Sequence, residues 1–263
     1  MGELLRGETA AFDALAGDYD ADFTASALGR TLRAMVWERY AAVFHGRPSL
    51  LELGCGTGED AIWLAQRGHR VLATDASARM IDVATRKAAA AGVADRVRFL
   101  CLPMERLHEL PGETFDGVYS NFGAVNCVPR TDLARILAAR LHVGSALLWV
   151  VMGRYVPWEM AWYCAHGDPR RAFRRLRRRA TVWRGIDVTY PTPGQLAREL
   201  RPYFCARHKS ALGFALPPSY AARWLDRHPR LLDWFTRAER LAQRAVPLAA
   251  LSDHYIFEAE RAA

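Results

Sequence analysis

The chain has 263 residues, with 36 Lys and Arg against 28 Asp and Glu, for a formal charge of +8. Apolar residues make up 51% and charged residues 24%, which excludes an intrinsically disordered chain and suits one large α/β domain. The longest apolar run, 146–153, is far short of the roughly 20 residues of a membrane span.

Residues 1–45 are expected to form N-terminal helices. Between 26 and 44, Leu28, Leu32, Met35, Val36, Tyr40, Val43 and Phe44 fall at helical spacing, and His45-Gly46-Arg47-Pro48 closes the helix. A short apolar strand, 49–53, then runs straight into Gly54-Cys55-Gly56-Thr57-Gly58. A helix over 59–67 ends at Gly68, and strand two, 70–74, ends at Asp75. The pattern continues with a helix over 77–91, strand three at 97–101, strand four at 115–120, a helix over 131–141 and strand five at 146–152.

The regularity then breaks. Residues 154–188 are a Trp- and Arg-rich insert, followed by a helix over 193–200 and strand six at 204–213. A second insert, 214–250, shows helical periodicity through Trp224, Leu231, Trp234, Phe235 and Leu241, and 254–260 reads as the last strand. Alternating strands and helices imply a doubly wound, mostly parallel sheet. The expectation is one α/β domain over 1–263 with seven strands and helical cap insertions after strands five and six.

The charge is unevenly placed. Residues 1–152 are nearly neutral at −2, 153–188 carry +6 and 189–263 carry +4. Five scattered cysteines, Cys55, Cys101, Cys127, Cys164 and Cys205, include no C-x-x-C pair, so neither a disulfide framework nor a metal site is expected. The opening Met-Gly-Glu-Leu-Leu-Arg-Gly-Glu has no basic start and no apolar stretch; with no secretory signal read there, a cytoplasmic protein is expected.

A glycine-rich turn between strand and helix lets the backbone approach a ligand at the positive helix end. A dinucleotide fold places its third glycine five residues after the first. Here the spacing is Gly54-x-Gly56-x-Gly58 with Glu59 next. An acidic helix start suits a ligand bearing an ammonium and a sulfonium better than a pyrophosphate. No Gly-Lys-Ser/Thr follows, which excludes a P-loop.

The segment Leu50-Leu51-Glu52-Leu53-Gly54-Cys55-Gly56-Thr57-Gly58 closely resembles the first motif of the class I S-adenosylmethionine-dependent methyltransferases. Upstream, Phe12-Asp13-Ala14-Leu15-Ala16 with Tyr19-Asp20 is similar to the quinone-biosynthesis-like, small-molecule branch. The resemblance spans about 10–152 and implies a Rossmann-like fold with S-adenosyl-L-methionine as cofactor. It implies that Tyr19, Glu52, Gly54, Gly56, Gly58 and Asn121 bind this cofactor, with Glu52 and the turn on its methionine part. Asp75 would take both ribose hydroxyls, since a carboxylate offers two acceptors to a vicinal diol. Ala76 and Met80 would flank the adenine. Pro103 stands where the family usually has an Asp, which leaves the adenine amino group to the Met104 backbone or to Glu105.

The same resemblance puts the acceptor beyond strand four, near Ser120-Asn121-Phe122-Gly123-Ala124-Val125-Asn126-Cys127. Methyl transfer is an in-line displacement that positioning and desolvation can accelerate; a base is needed only for a hydroxyl or acidic carbon. The catalytic candidates are Asn121 and Asn126, as orienting groups or caps, and His166 and His254, as bases. Tyr155 and Glu159 lie just after strand five, and His142 in the turn before it.

Within the first insert, Trp158 and Trp162 share a helix face, as do Phe173 and Leu176. Four readings compete: a solvated surface helix, a lid over an apolar acceptor pocket, contact with an anionic membrane, or a nucleic-acid surface. The expected activity is methylation of a small apolar or amphipathic molecule, such as a natural product, lipid or isoprenoid-like compound. An acidic group on that acceptor would be drawn to the Arg cluster. The rivals are an RNA methyltransferase using the insert and a non-catalytic cofactor-binding protein; a nucleic-acid partner is not the expected one.

Overall fold

The computed structural model describes residues 26–177, 180–183, 185–218 and 222–263. Tyr19 and its neighbouring motif lie outside these residues, so the N-terminal helical region is represented by α1, Ala27–Val43. Ser26 caps it by accepting from the Gly29 amide at 3.0 Å. Leu28, Leu32, Met35, Val36 and Tyr40 form its buried stripe, the spacing that the helical period requires.

Seven strands form one sheet. β1 (Ser49–Leu53) is third from one edge, with β2 (Arg70–Asp75) beside it and β3 (Val97–Cys101) at that edge. On the other side come β4 (Phe115–Ser120) and β5 (Leu141–Met152), all five parallel. A short antiparallel pair, β6 (Thr181–Trp183) and β7 (Ile186–Val188), stands apart from the sheet. The sheet ends with β8 (Phe204–Leu212) and β9 (His254–Arg261), and β9 inserts antiparallel between β5 and β8. The order is therefore β3-β2-β1-β4-β5-β9-β8, the expected doubly wound, mostly parallel arrangement.

Strand five starts before its apolar run. Leu141 pairs with Phe115, and the register shifts before Ala146 meets Gly117, with Gly144 at φ +83° between them. This shortens the preceding helix, α4 below, which stops at Ala138 and not at 141. It also places His142 on an exposed part of the strand and not in a turn.

Helices cover both faces. α2 (Glu59–Ala65) and α3 (Ala78–Ala90) join α1 on one face, where Leu50, Val71, Tyr119, Leu148 and Val150 point. α4 (Arg130–Ala138) lies on the other, where Leu51, Val118, Leu147, Trp149 and Val151 point. Alternate strand residues feed alternate cores, which is why these strands are apolar along their length.

The insert after β5 contains α5 (Pro157–Ala165) and α6 (Pro169–Ala172), followed by the β6–β7 pair. α6 ends at Ala172 and 174–176 forms a single 3₁₀ turn, so Phe173 and Leu176 do not share a continuous helix face. α7 (Pro193–Glu199) begins with a capping box between Thr192 and Gln195 and belongs to the second core through Leu196. The later insert holds α8 (Ala222–Asp226) and α9 (Pro229–Ala242). It packs beside α1: Asp226 accepts from the Ala27 amide, and Arg240 makes a two-pronged pair with Glu38. Buried Glu239 accepts from the amides of Gly213, Ala215 and Leu216 and fixes the chain leaving β8. Among the described residues, no helix is long and apolar enough to cross a membrane.

Candidate active site

The turn after β1 has three left-handed residues, Gly54, Gly56 and Gly58, with φ of +66°, +52° and +81°. Their reasons differ. A Cβ on Gly54 would lie 2.5 Å from the Ala124 Cβ, and one on Gly58 2.8 Å from the Ala84 Cβ. One on Gly56 would meet nothing within 4 Å. Gly54 and Gly58 thus serve close packing, whereas Gly56 leaves backbone bare toward open space.

That space is a cavity of about 830 Å³ along the carboxyl ends of the parallel strands, the position where open α/β sheets bind ligands. Asp75 lines it from the end of β2, with Oδ2 accepting from the Gly56 amide at 2.8 Å and Oδ1 from the Ser77 amide at 2.9 Å. Both oxygens are thereby held in place. Ala76 and Met80 form one apolar wall beside it, and Leu102, Pro103 and Met104 another, with Glu105 at its end. A flat base fits between such walls and a diol fits the carboxylate, so the donor set suits a nucleoside.

A smaller polar recess, about 40 Å³, continues past Gly54, Gly56, Asn121 and Phe122. Asp60 lies at its heart and accepts from Arg33 Nη1 (2.7 Å), Trp37 Nε1 (2.7 Å) and Asn121 Nδ2 (2.8 Å). Glu52 accepts from the Tyr119 hydroxyl at 3.0 Å. Burial, reinforced by the charge of Asp60, pushes its carboxyl well above the ordinary range. Glu59 also lines the recess and is ion-paired with Lys87. Arg33 and Asp60 were not among the expected residues. Their sequence signal was a charged residue within an apolar helical stripe and a second acid after the glycine turn.

The expected acceptor-side residues separate. Asn121 lines both spaces, its amide fixed by Asp60 and by the Phe122 amide, which donates to Oδ1 at 2.9 Å. Phe122 follows with φ +45°, a strained value for a residue with a side chain. Asn126, in contrast, does not line the cavity. Its Nδ2 donates to the carbonyls of Met152 and Thr189, and its Oδ1 accepts from the Met152 amide. It is a buried brace between the end of β5 and the return of the insert. His166 sits exposed at the end of α5, stacked on Trp162, and does not line the cavity. His254 stands one layer behind it, edge-on to Phe122 and 3.1 Å from Asp253.

Residues of the first insert close the far end. Tyr163, Arg171, Arg174, Arg175, Val182 and Tyr190 are among those lining the cavity there, with Met152 and Val128. Trp158 and Trp162 of α5, by contrast, do not line the cavity and are 43% and 46% exposed, and Tyr155 before the helix is 41% exposed. Glu159 is buried and bridges Arg174 (2.7 Å) and Arg175 (2.8 Å). Asp253 pairs with Arg175 at 2.7 Å. Burial raises the Asp253 carboxyl, but His254 and Arg175 outweigh it and hold the group well below the usual range. Burial opposes the charge on Arg175, and Asp253 and Glu159 overcome it, so that this guanidinium stays charged. Burial pushes the Tyr190 phenol up against the opposing influence of Arg175 and Arg174, so it stays protonated at neutral pH. Among the described residues, none of the 214–250 insert lines this cavity; its Phe235 packs edge-on against Trp158 of the first insert.

Residues 50–143 match the methyltransferase domain family. Over 93 residues the chain is 33% identical to the tRNA 5-carboxymethoxyuridine methyltransferase of Escherichia coli K12, a match covering 34% of this chain and 36% of that protein. The chain thus spans little more than a third of that relative's length. Among solved structures, the CcbJ methyltransferase from Streptomyces caelestis superposes with a TM-score of 0.60 at 18% identity, over 95% of this chain and 96% of that one. DhpI, in complex with S-adenosylhomocysteine (SAH), superposes with a TM-score of 0.54 at 17% identity, over 100% and 98%. At such identities the likeness is one of fold.

Proposed function

We propose that this chain, whose residues 50–143 match the methyltransferase domain family, is a class I S-adenosylmethionine-dependent methyltransferase that transfers a methyl group from that cofactor to a small molecule held in the same cavity. The observation that carries the reading is continuity. One space of about 830 Å³ runs from the Asp75 carboxylate and the bare Gly56 backbone, past Asn121 and Phe122, to the insert after β5. A pocket for a single drug-sized ligand is about 300–1,000 Å³, so a nucleoside and a modest acceptor can share it.

The cofactor supplies a methyl carbon bonded to a positively charged sulfur, which makes that carbon electrophilic. The chain's contribution is placement. Asp75 would hold the ribose diol, Ala76, Met80, Leu102 and Met104 would enclose the adenine, and Glu105 or the Met104 amide would take its amino group. In the polar recess, Arg33 suits the cofactor's carboxylate and Glu52 its ammonium. Val128, Met152 and Val182 give the acceptor end an apolar lining.

Calorimetry with SAH tests the first half of this reading. A methylation assay with labelled cofactor against cell extract, followed by mass spectrometry of the product, tests the second. Binding without turnover on any acceptor pool would leave a cofactor-binding protein. A transfer RNA acceptor is a second reading, favoured by the Escherichia coli relative. It requires salt-sensitive binding to bulk tRNA, which a small-molecule enzyme does not.

A further inference from the structure

The acceptor end of the cavity differs chemically from the cofactor end. Two carboxylates line the space, Asp75 and Glu105, and both stand at the nucleoside end. The far end is lined by three guanidiniums, Arg171, Arg174 and Arg175, and two phenols, Tyr163 and Tyr190. Among the described lining residues there is no histidine and no lysine.

The arrangement of charge is directional. Arg175 and Arg174 share Glu159, Arg175 also pairs with Asp253, and Arg171 lies 3.2 Å from Asp168. None of these three carboxylates lines the cavity. Cations therefore face the space and their counter-charges stand behind them. Glu159 does for the two arginines what a supporting carboxylate does for any binding cation: it fixes orientation without occupying the ligand's place.

One donor is left over. The Arg175 side chain is 8% exposed, its Nη1 donates to the carbonyls of Gly153 and Asp253, and its Nη2 to Glu159 and Asp253. Its Nε is buried and has no partner. With both Nη atoms engaged and Nε buried, Arg175 acts on the cavity through its charge, while Arg174, whose side chain is 28% exposed, offers the reachable donors.

We propose that the acceptor is a carboxylic acid with an apolar body, held as its carboxylate at Arg174 and Arg175 and methylated on a carboxylate oxygen. This rests on the methyltransferase reading above. A lone pair of the carboxylate oxygen forms the bond to the methyl carbon as the carbon–sulfur bond breaks, and the bonding electrons remain on sulfur. The products are a methyl ester and SAH. No proton moves, so no base is required, which agrees with an acceptor end built from guanidiniums and phenols. Val128, Met152 and Val182 would receive the apolar body.

The test uses the whole chain, labelled S-adenosylmethionine, and two acceptor pools: a panel of aliphatic and aromatic carboxylic acids, and cell extract. Transferred label should be released as volatile methanol by mild alkali, as methyl esters require. The rate at low acceptor concentration should be flat across about pH 6–9, where a carboxylate is already ionised. Arg174→Gln should raise KM for the acid by about tenfold or more, the loss of one charge-assisted contact. Arg174→Lys should recover part of it, with SAH affinity unchanged in both. Label in alkali-stable products, absence of transfer to any acid, or an Arg174→Gln enzyme with unaltered KM would each overturn the proposal. A chain that fails to bind SAH would instead overturn the methyltransferase reading, so the two failures are distinguishable.

Discussion

Replacing Asp75 by Ala removes the carboxylate that we propose holds the ribose. Its two oxygens are already oriented by the Gly56 and Ser77 amides at 2.8 and 2.9 Å, so it receives a diol without further ordering. A hydrogen bond to a charged group contributes about 1.5–3 kcal/mol. Two ribose hydroxyls then give about 3–6 kcal/mol, with the lower figure the safer because such bonds are not additive. At about 1.4 kcal/mol per tenfold, SAH should bind at least about a hundredfold more weakly to the variant. Isothermal titration measures this directly. Asp75→Asn separates the causes, since it keeps an acceptor for one loop amide and loses the charge; it should fall between the two. The variants' melting temperatures report the loop itself, because Ala leaves both amides without this partner. A dissociation constant for Asp75→Ala within about threefold of the parent, in a folded protein, would refute the cofactor assignment.

Four further outcomes are expected. Gly58→Ala should cost about 2–4 kcal/mol in denaturant unfolding, from the left-handed backbone and the clash with Ala84. Gly56→Ala should unfold closer to the parent yet lose SAH binding, because its Cβ meets no protein atom within 4 Å; a Gly56→Ala chain that binds normally would show that the ligand does not approach this backbone. Asp253 is held well below its ordinary range by His254 and Arg175 despite burial. Its stabilisation is complete above the unfolded carboxylate value of about 3.9 and is lost as pH falls below it; urea titrations should show an acid limb that Asp253→Asn flattens, and parallel limbs would contradict this. Glu52, raised by burial and by Asp60, should ionise when an ammonium arrives beside it. SAH binding at neutral pH should therefore release a proton, seen as a dependence of the calorimetric heat on buffer ionisation enthalpy, which Glu52→Gln abolishes.

Local pattern carried the sheet, its glycine turn and the acid at the end of β2. Strand periodicity, the run into Gly54, Gly56 and Gly58, and the position of Asp75 are properties of short segments, and a fold built from repeated strand–helix units places such segments predictably. Even there, the reason for each glycine was hidden: only the packing of Ala124 and Ala84 shows that Gly54 and Gly58 have no room for a Cβ, whereas Gly56 faces open space.

The acceptor end depended on contacts between residues far apart in the chain. Asn126 reads as an orienting amide or a cap, and in the structure it braces Met152 and Thr189, tens of residues away. Asp60 gathers Arg33, Trp37 and Asn121 from separate elements. The insert's arginines read as one basic run with a net charge to be placed somewhere. The fold turns Arg174 and Arg175 toward the cavity, sets Glu159 and Asp253 behind them, and leaves Trp158 and Trp162 out of the cavity lining. The excess of +8 was visible in the composition. Which of those charges face a ligand is decided by burial and pairing, which exist only once the chain has folded.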